Sequence, residues 1–218
     1  MDFTSRMAVL LGAFRRERNG AVADSMRFHG RLYGLNYGVS LPTLRMLARA
    51  EAPDHEFAKY LYLQDVRCLR LAAFHIADPM RLTPSEFAFW GGGLLNSEMA
   101  EEAAFALLSR SEALPALFET WIAPEARCLE QYAALMAAAR APHPLPEWIA
   151  PAVDAVRRAA ACDASDAHLL AQGAAALLTA IGSLNDANRQ AALRTAGSLD
   201  SSPAAEYLRE ELAWRLDA

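Results

Sequence analysis

Three glutamates fall within five residues at the start of one apolar stretch of the chain. Glu98, Glu101 and Glu102 lie in the segment NSEMAEEAAFALL, which continues with alanines and large apolar residues. Clustered carboxylates can stabilise a developing positive charge, position a water molecule or exchange a proton in catalysis. They can equally form ion pairs with a neighbouring helix or remain in solvent, because structural ion pairs imitate catalytic carboxylates. The neighbouring elements decide between these roles.

The composition indicates an all-α protein. The chain has 218 residues, of which 54% are apolar, and it is rich in Ala, Leu, Glu and Arg, which favour helices. The formal net charge of −5 does not suit a protein that only coats nucleic acid. The segment 1–49, however, has eight arginines against three acidic residues, a net charge of +5, so an anionic partner is expected there. Solvated arginines on helix surfaces are the alternative.

The cysteines and histidines give no sign of a metal site. Cys68, Cys128 and Cys162 are far apart in the sequence, and neither they nor the five histidines show the spacing of metal ligands. We therefore expect no metal and no cofactor, and reduced thiols in a cytoplasmic protein. No apolar run of the sequence approaches the roughly 20 residues of a membrane span, so we expect no membrane partner.

From Pro53 onward the sequence predicts a series of helix pairs. Short Pro, Gly, Ser and Asp signals separate the helices, and the second helix of four successive pairs carries two adjacent alanines in one register. These alanines stand at 72–73, 103–104, 133–134 and 174–175. Repeats of this length are typical of helical solenoids, and small side chains let helix axes approach closely. The prediction is one domain over 1–218, with N-terminal helices in 1–52 and helix-pair repeats over 53–218.

The repeat register gives the glutamates a structural partner. The positions five and two residues before the alanines are occupied by Arg67 and Arg70 in one repeat and by Glu98 and Glu101 in the next. Positions three apart on a helix are surface neighbours, so the arginine row should meet the glutamate row. Salt bridges between the helices are expected, each worth about 0–1 kcal/mol if exposed.

Two quoted segments carry a resemblance to a known family. YGVSLPTLRMLARA, followed by DHEFAKYLYLQDVRCLRLAAFHIADPMRLT, resembles the AlkD-like DNA alkylation repair family over about Tyr37 to Leu108. The resemblance implies a right-handed α-solenoid of HEAT-like helix pairs whose concave face holds DNA. In the glycosylase members, a Trp and an Asp four residues apart, with an Arg from a following repeat, release a cationic alkylated base.

The implied catalytic pattern is incomplete in this chain. Ser97 lies four residues before Glu101, and the nearest tryptophan, Trp90, belongs to the preceding helix. Glu101 is the candidate for the aspartate, and Arg127 or Arg70 is the candidate for the arginine. Because the aromatic partner is missing, the glycosylase site is expected to be incomplete or absent.

Four arginines form the candidate phosphate-binding stripe. Arg45 and Arg49 are four residues apart on one predicted helix, and Arg67 and Arg70 lie on the second helix of the next pair. One hypothesis is a DNA-binding member of the resembled family, with duplex DNA as the partner. The other is a non-enzymatic helical-repeat scaffold that binds a protein or peptide in its concave groove.

Overall fold

The computed structural model describes residues 2–31 and 33–216. Over these residues it contains thirteen α-helices, four short 3-10 helices and one isolated parallel bridge between Leu35 and Val66. The helices are α1 (Phe3–Arg16), α2 (Gly20–Phe28), α3 (Leu41–Arg49), α4 (His55–Tyr62), α5 (Arg67–Ile76), α6 (Phe87–Gly92), α7 (Ser97–Ala106), α8 (Leu114–Trp121), α9 (Cys128–Ala138), α10 (Ile149–Ala160), α11 (Ala164–Gly182), α12 (Asp186–Gly197) and α13 (Pro203–Leu216). The predicted all-α fold class is confirmed.

The chain forms two compact units. The first ends at Leu107 and the second begins at Leu108. The expectation of one domain over 1–218, with N-terminal helices in 1–52, stays a prediction.

The first unit places helices α3 and α7 against α5. Contacts join α5 to α3, α4 and α7, so α5 is the central helix of this unit. Ser40 caps α3 by accepting a hydrogen bond from the Thr43 amide, and Pro42 lies in the first turn of this helix. The alanine pairs of α5 and α7 are buried, as expected where helices pack closely.

The helix α2 differs from its neighbours because it buries none of its side chains. Its beginning is fixed by the Asn19 amide, which donates to the Tyr37 carbonyl at 2.8 Å. Gly38 beside this contact has a φ of +67°, and a Cβ there would lie 1.9 Å from the Asn19 carbonyl oxygen. Only glycine fits this position. The helix ends at Phe28, and Gly30 follows with a φ of +75°.

The second unit is built around α11, its longest helix. This helix of 19 residues contacts α9, α10, α12 and α13. The alanine pairs at 133–134 and 174–175 are buried on α9 and α11, which pack on each other. Gly173 lies at this contact, where a Cβ would come within 3.0 Å of the Leu135 Cβ. No helix among the described residues is both long and apolar enough to cross a membrane.

Candidate functional site

The three glutamates of α7 lie on two different faces of this helix. Asn96 caps the helix by accepting a hydrogen bond from the Met99 amide at 3.1 Å. From this start, Glu98 and Glu102 lie one turn apart on the face packed towards α5, and both are buried. Glu101 lies on the exposed face. The three glutamates are close in the sequence, but they do not form one cluster in the structure.

Glu98 forms a buried ion pair with Arg67 of α5. The Arg67 Nε and Nη2 donate to its two carboxylate oxygens at 2.8 and 2.6 Å, and the side chains are only 2% and 3% exposed. A third guanidinium nitrogen donates to the Val39 carbonyl at 2.8 Å. Burial raises the pKa of Glu98, but the hydrogen bonds and charge of Arg67 outweigh burial and leave the pKa below its ordinary value. The predicted meeting of the arginine and glutamate rows is confirmed for this pair.

The segment between α2 and α3 is tied to the same carboxylate. The Tyr33 hydroxyl lies 2.6 Å from a Glu98 oxygen, to which it donates, and 3.1 Å from the Asn96 side-chain oxygen. Burial and the Glu98 charge raise the pKa of Tyr33, so its hydroxyl stays protonated as a donor. The Arg31 Nη1 lies 3.9 Å from the other Glu98 oxygen, and its side chain is 47% exposed.

Glu102 organises a second group of side chains. It accepts two hydrogen bonds from the Arg45 guanidinium on α3, and the His75 Nε2 on α5 lies 2.9 Å from its Oε2. Burial raises the pKa of Glu102, but the bonds to His75 and Arg45 prevail and bring the pKa down to about 2. This carboxylate is therefore ionised, and it fixes the direction of an arginine that remains one third exposed.

An aromatic ring extends this group towards the surface. Phe105 is 38% exposed, and the guanidinium carbons of Arg45 and Arg49 lie 4.6 and 5.7 Å from its ring centroid. Arginines at such distances are attracted to the aromatic ring. The exposed Arg49 thus stands beside a partly exposed ring and a second, fixed cation.

The other predicted site residues take different positions. Arg70 is half-buried, and its Nε and Nη1 donate to the Gln64 and Gly93 carbonyls at 2.9 and 3.4 Å. Arg127 belongs to the second unit, where its guanidinium contacts Glu130 at 3.2 Å at the start of α9. The structure thus places Arg45 and Arg67 on buried carboxylates, leaves Arg49 exposed, and directs Arg70 to backbone carbonyls.

Three residues of this site are absent from the predictions made from the sequence. Tyr33 and Arg31 lie in a non-repetitive connection, and nothing in their spacing points to Glu98. His75 lies eight residues after Arg67, two turns along α5 on the same side, so helical spacing could have pointed to it. Among the described residues, no group of three or more His, Cys, Asp or Glu side chains is arranged to hold a metal ion.

No family model matches the sequence, and no curated protein matches it. A solved structure does match the fold, with a TM-score of 0.72 over 99% of this chain and 96% of the other, at 17% identity. That protein is described as one of a new family related to the HEAT-like repeat DNA glycosylases, with affinity for branched DNA structures. This chain has a HEAT-like repeat fold. The helix pairs predicted from the alanine register, and the HEAT-like fold that the family resemblance implied, are therefore confirmed.

Proposed function

We propose that this protein binds DNA, with a preference for branched over linear duplex DNA, through the arginine-rich part of its first unit. The observation that carries the proposal is the exposure of this basic segment: six of the eight arginines before residue 50 are exposed. They are Arg15, Arg16, Arg18, Arg27, Arg31 and Arg49. Exposed guanidinium groups bind the phosphates of DNA, and this binding releases the counterions condensed on the DNA. The structural neighbour with affinity for branched DNA supports the choice of nucleic acid.

The proposal gives the predicted arginine stripe two roles. Arg49 is exposed and Arg45 is partly exposed, so both suit phosphate contact. Arg67 would have to leave Glu98 to bind a phosphate, which would strand a buried charge. We therefore assign Arg67 to the support of the surface rather than to direct contact. Arg70 keeps some exposure and stays a candidate.

Two of the three glutamates of α7 are unsuited to base release. A carboxylate that stabilises a developing charge must lie beside the sugar, yet Glu98 and Glu102 are buried and bonded to arginines. The expectation of an incomplete or absent glycosylase site, with Glu101 and Arg127 as its candidate residues, stays a prediction. Release of bases from methylated DNA, compared between wild type and Glu101→Gln, tests it, and equal rates would remove Glu101 from catalysis.

Binding is tested with labelled four-way junctions, forks and linear duplexes of matched sequence. The affinity should fall with salt by a logarithmic slope of about −0.9 per phosphate contact. Arg49→Ala should weaken binding and reduce this slope by about 1. Arg194→Ala removes an exposed arginine of the second unit, whose guanidinium contacts Gln190 on its own helix, and serves as the matched control.

These binding measurements also decide between the DNA-binding hypothesis and the scaffold hypothesis. Absence of salt-sensitive binding to every DNA at low ionic strength would end the DNA proposal. It would favour the scaffold that holds a protein or peptide. Equal affinity for junction and duplex would retain DNA binding and remove the preference for branches.

A further inference from the structure

The most exposed aromatic side chain of the first unit stands at the end of α2. Phe28 is the last residue of this helix, and its side chain is 86% exposed. Its ring contacts that of His29 edge-on, with centroids 5.3 Å apart. Because α2 buries none of its side chains, Phe28 adds nothing to a core there. In the free protein this ring lies in solvent, so it gains none of the free energy that burial of apolar surface provides.

Two arginines flank Phe28 in the sequence. We define the tip as residues 27–31, which read Arg-Phe-His-Gly-Arg. The Arg27 and Arg31 side chains are 73% and 47% exposed. Asp24, 3.8 Å from Arg27, contributes an acidic group at the base of the tip. A short exposed segment that carries an aromatic ring and two exposed arginines matches a partner that offers base faces and phosphates together.

The buried charge network holds the base of the tip. Arg31 lies 3.9 Å from one oxygen of Glu98, and the Tyr33 hydroxyl donates to the other oxygen at 2.6 Å. Glu98 is fixed in turn by Arg67. Arg31 and Tyr33 thus connect the chain that follows Phe28 to the buried ion pair between α5 and α7.

We infer that Phe28 is an aromatic wedge that inserts between, or stacks on, unstacked bases at a DNA branch, with Arg27 and Arg31 on the adjoining phosphates. This inference rests on the proposed DNA binding and adds the residue that selects branched DNA. Opening a base step of intact duplex costs a few kcal/mol, whereas bases at a branch have already lost part of their stacking. A wedge therefore favours branches more than it favours linear duplex.

The test compares four-way junction and linear duplex affinities for wild type, Phe28→Ala and Phe28→Trp. Phe28→Ala should lower the junction-to-duplex ratio at least about fivefold, since one base–aromatic stack is worth that much or more. Phe28→Trp should retain the ratio because it keeps a ring. Trp214→Ala removes a 75% exposed aromatic of the second unit and should leave the ratio unchanged.

A second readout follows the base directly. With 2-aminopurine at the branch point, binding of wild type should change the fluorescence, because the ring alters the stacking of that base, and Phe28→Ala should change it much less. Thermal unfolding should be the same for wild type and Phe28→Ala, since the ring is exposed.

Three results are decisive. If wild type binds junctions preferentially and Phe28→Ala keeps the full ratio, the wedge is overturned while the proposed function stands. If wild type binds no DNA, the proposed function itself fails. If Phe28→Ala instead dissociates a dimer in sedimentation and leaves the ratio intact, the ring covers a second copy of the chain, and the wedge is again overturned.

Discussion

Removing one partner of the Arg67–Glu98 pair should destabilise the first unit strongly. In Arg67→Met, Glu98 loses both guanidinium hydrogen bonds and keeps the Tyr33 hydroxyl and the more distant, half-exposed Arg31, while the Val39 carbonyl loses its donor. Methionine retains much of the apolar stem, so most of the loss is electrostatic. An uncompensated buried charge costs about 3–5 kcal/mol, and we expect a loss of that size in unfolding free energy.

The double variant Arg67→Met with Glu98→Leu should be more stable than Arg67→Met alone. Both charges are then absent, and an apolar pair of similar volume can be close to neutral. The Tyr33 hydroxyl still has the Asn96 oxygen at 3.1 Å. The coupling energy from the double-mutant cycle therefore measures the free-energy cost of leaving one buried charge without its partner.

The assay is urea unfolding followed by far-ultraviolet circular dichroism at neutral pH. Arg157→Ala, which breaks an exposed pair with Asp154 on one helix, is the matched control and should cost at most about 1 kcal/mol. A loss below about 1 kcal/mol for Arg67→Met would show that the pair is solvated in solution. Strict additivity in the cycle would equally refute the reasoning.

Three further outcomes follow from the structure. The pKa of Glu102 is about 2, below its ordinary value of 4.5, so its contribution to stability is present above about pH 4.5 and is lost as the pH falls towards 2. The difference in unfolding free energy between wild type and Glu102→Gln should shrink over that range in acid titrations. Gly38→Ala should lower the melting temperature, because the new Cβ would meet the Asn19 carbonyl and the φ is positive; an unchanged melting temperature would contradict this geometry. A maleimide should label the exposed Cys162 well before Cys68, whose burial raises its pKa to about 12, and mass spectrometry of timed samples checks the order.

The helical repeats could be predicted from the sequence because their signal is local and periodic. Alanines in a shared register set the close helix contacts, and the same register predicts that Arg67 contacts Glu98. The helical period within each segment predicts the helices, and the recurrence of the alanine register from one helix pair to the next predicts which helices pack together.

The site itself depends on contacts that the register does not contain. Arg45 reaches Glu102 from a helix 57 residues earlier, and this contact depends on how α3 packs on α5. Arg70 turns to the Gln64 carbonyl near the start of its own helix, a local bond that competes with any carboxylate on α7. Phe28 would be assigned to a core by composition alone, but it lies on α2, a helix that buries none of its side chains.

The mutual dependence of Arg67 and Glu98 also constrains how this sequence can diverge. A change at one position leaves the other as an unpaired buried charge, so a lineage should rarely pass through either single change and survive. Related chains should therefore carry either both charged residues or two apolar residues at these positions, with few mixed pairs. Where the apolar pair occurs, Tyr33 should also vary, because the carboxylate to which it donates is gone. The evolutionary history of three separated positions is thus expected to follow that of one buried carboxylate.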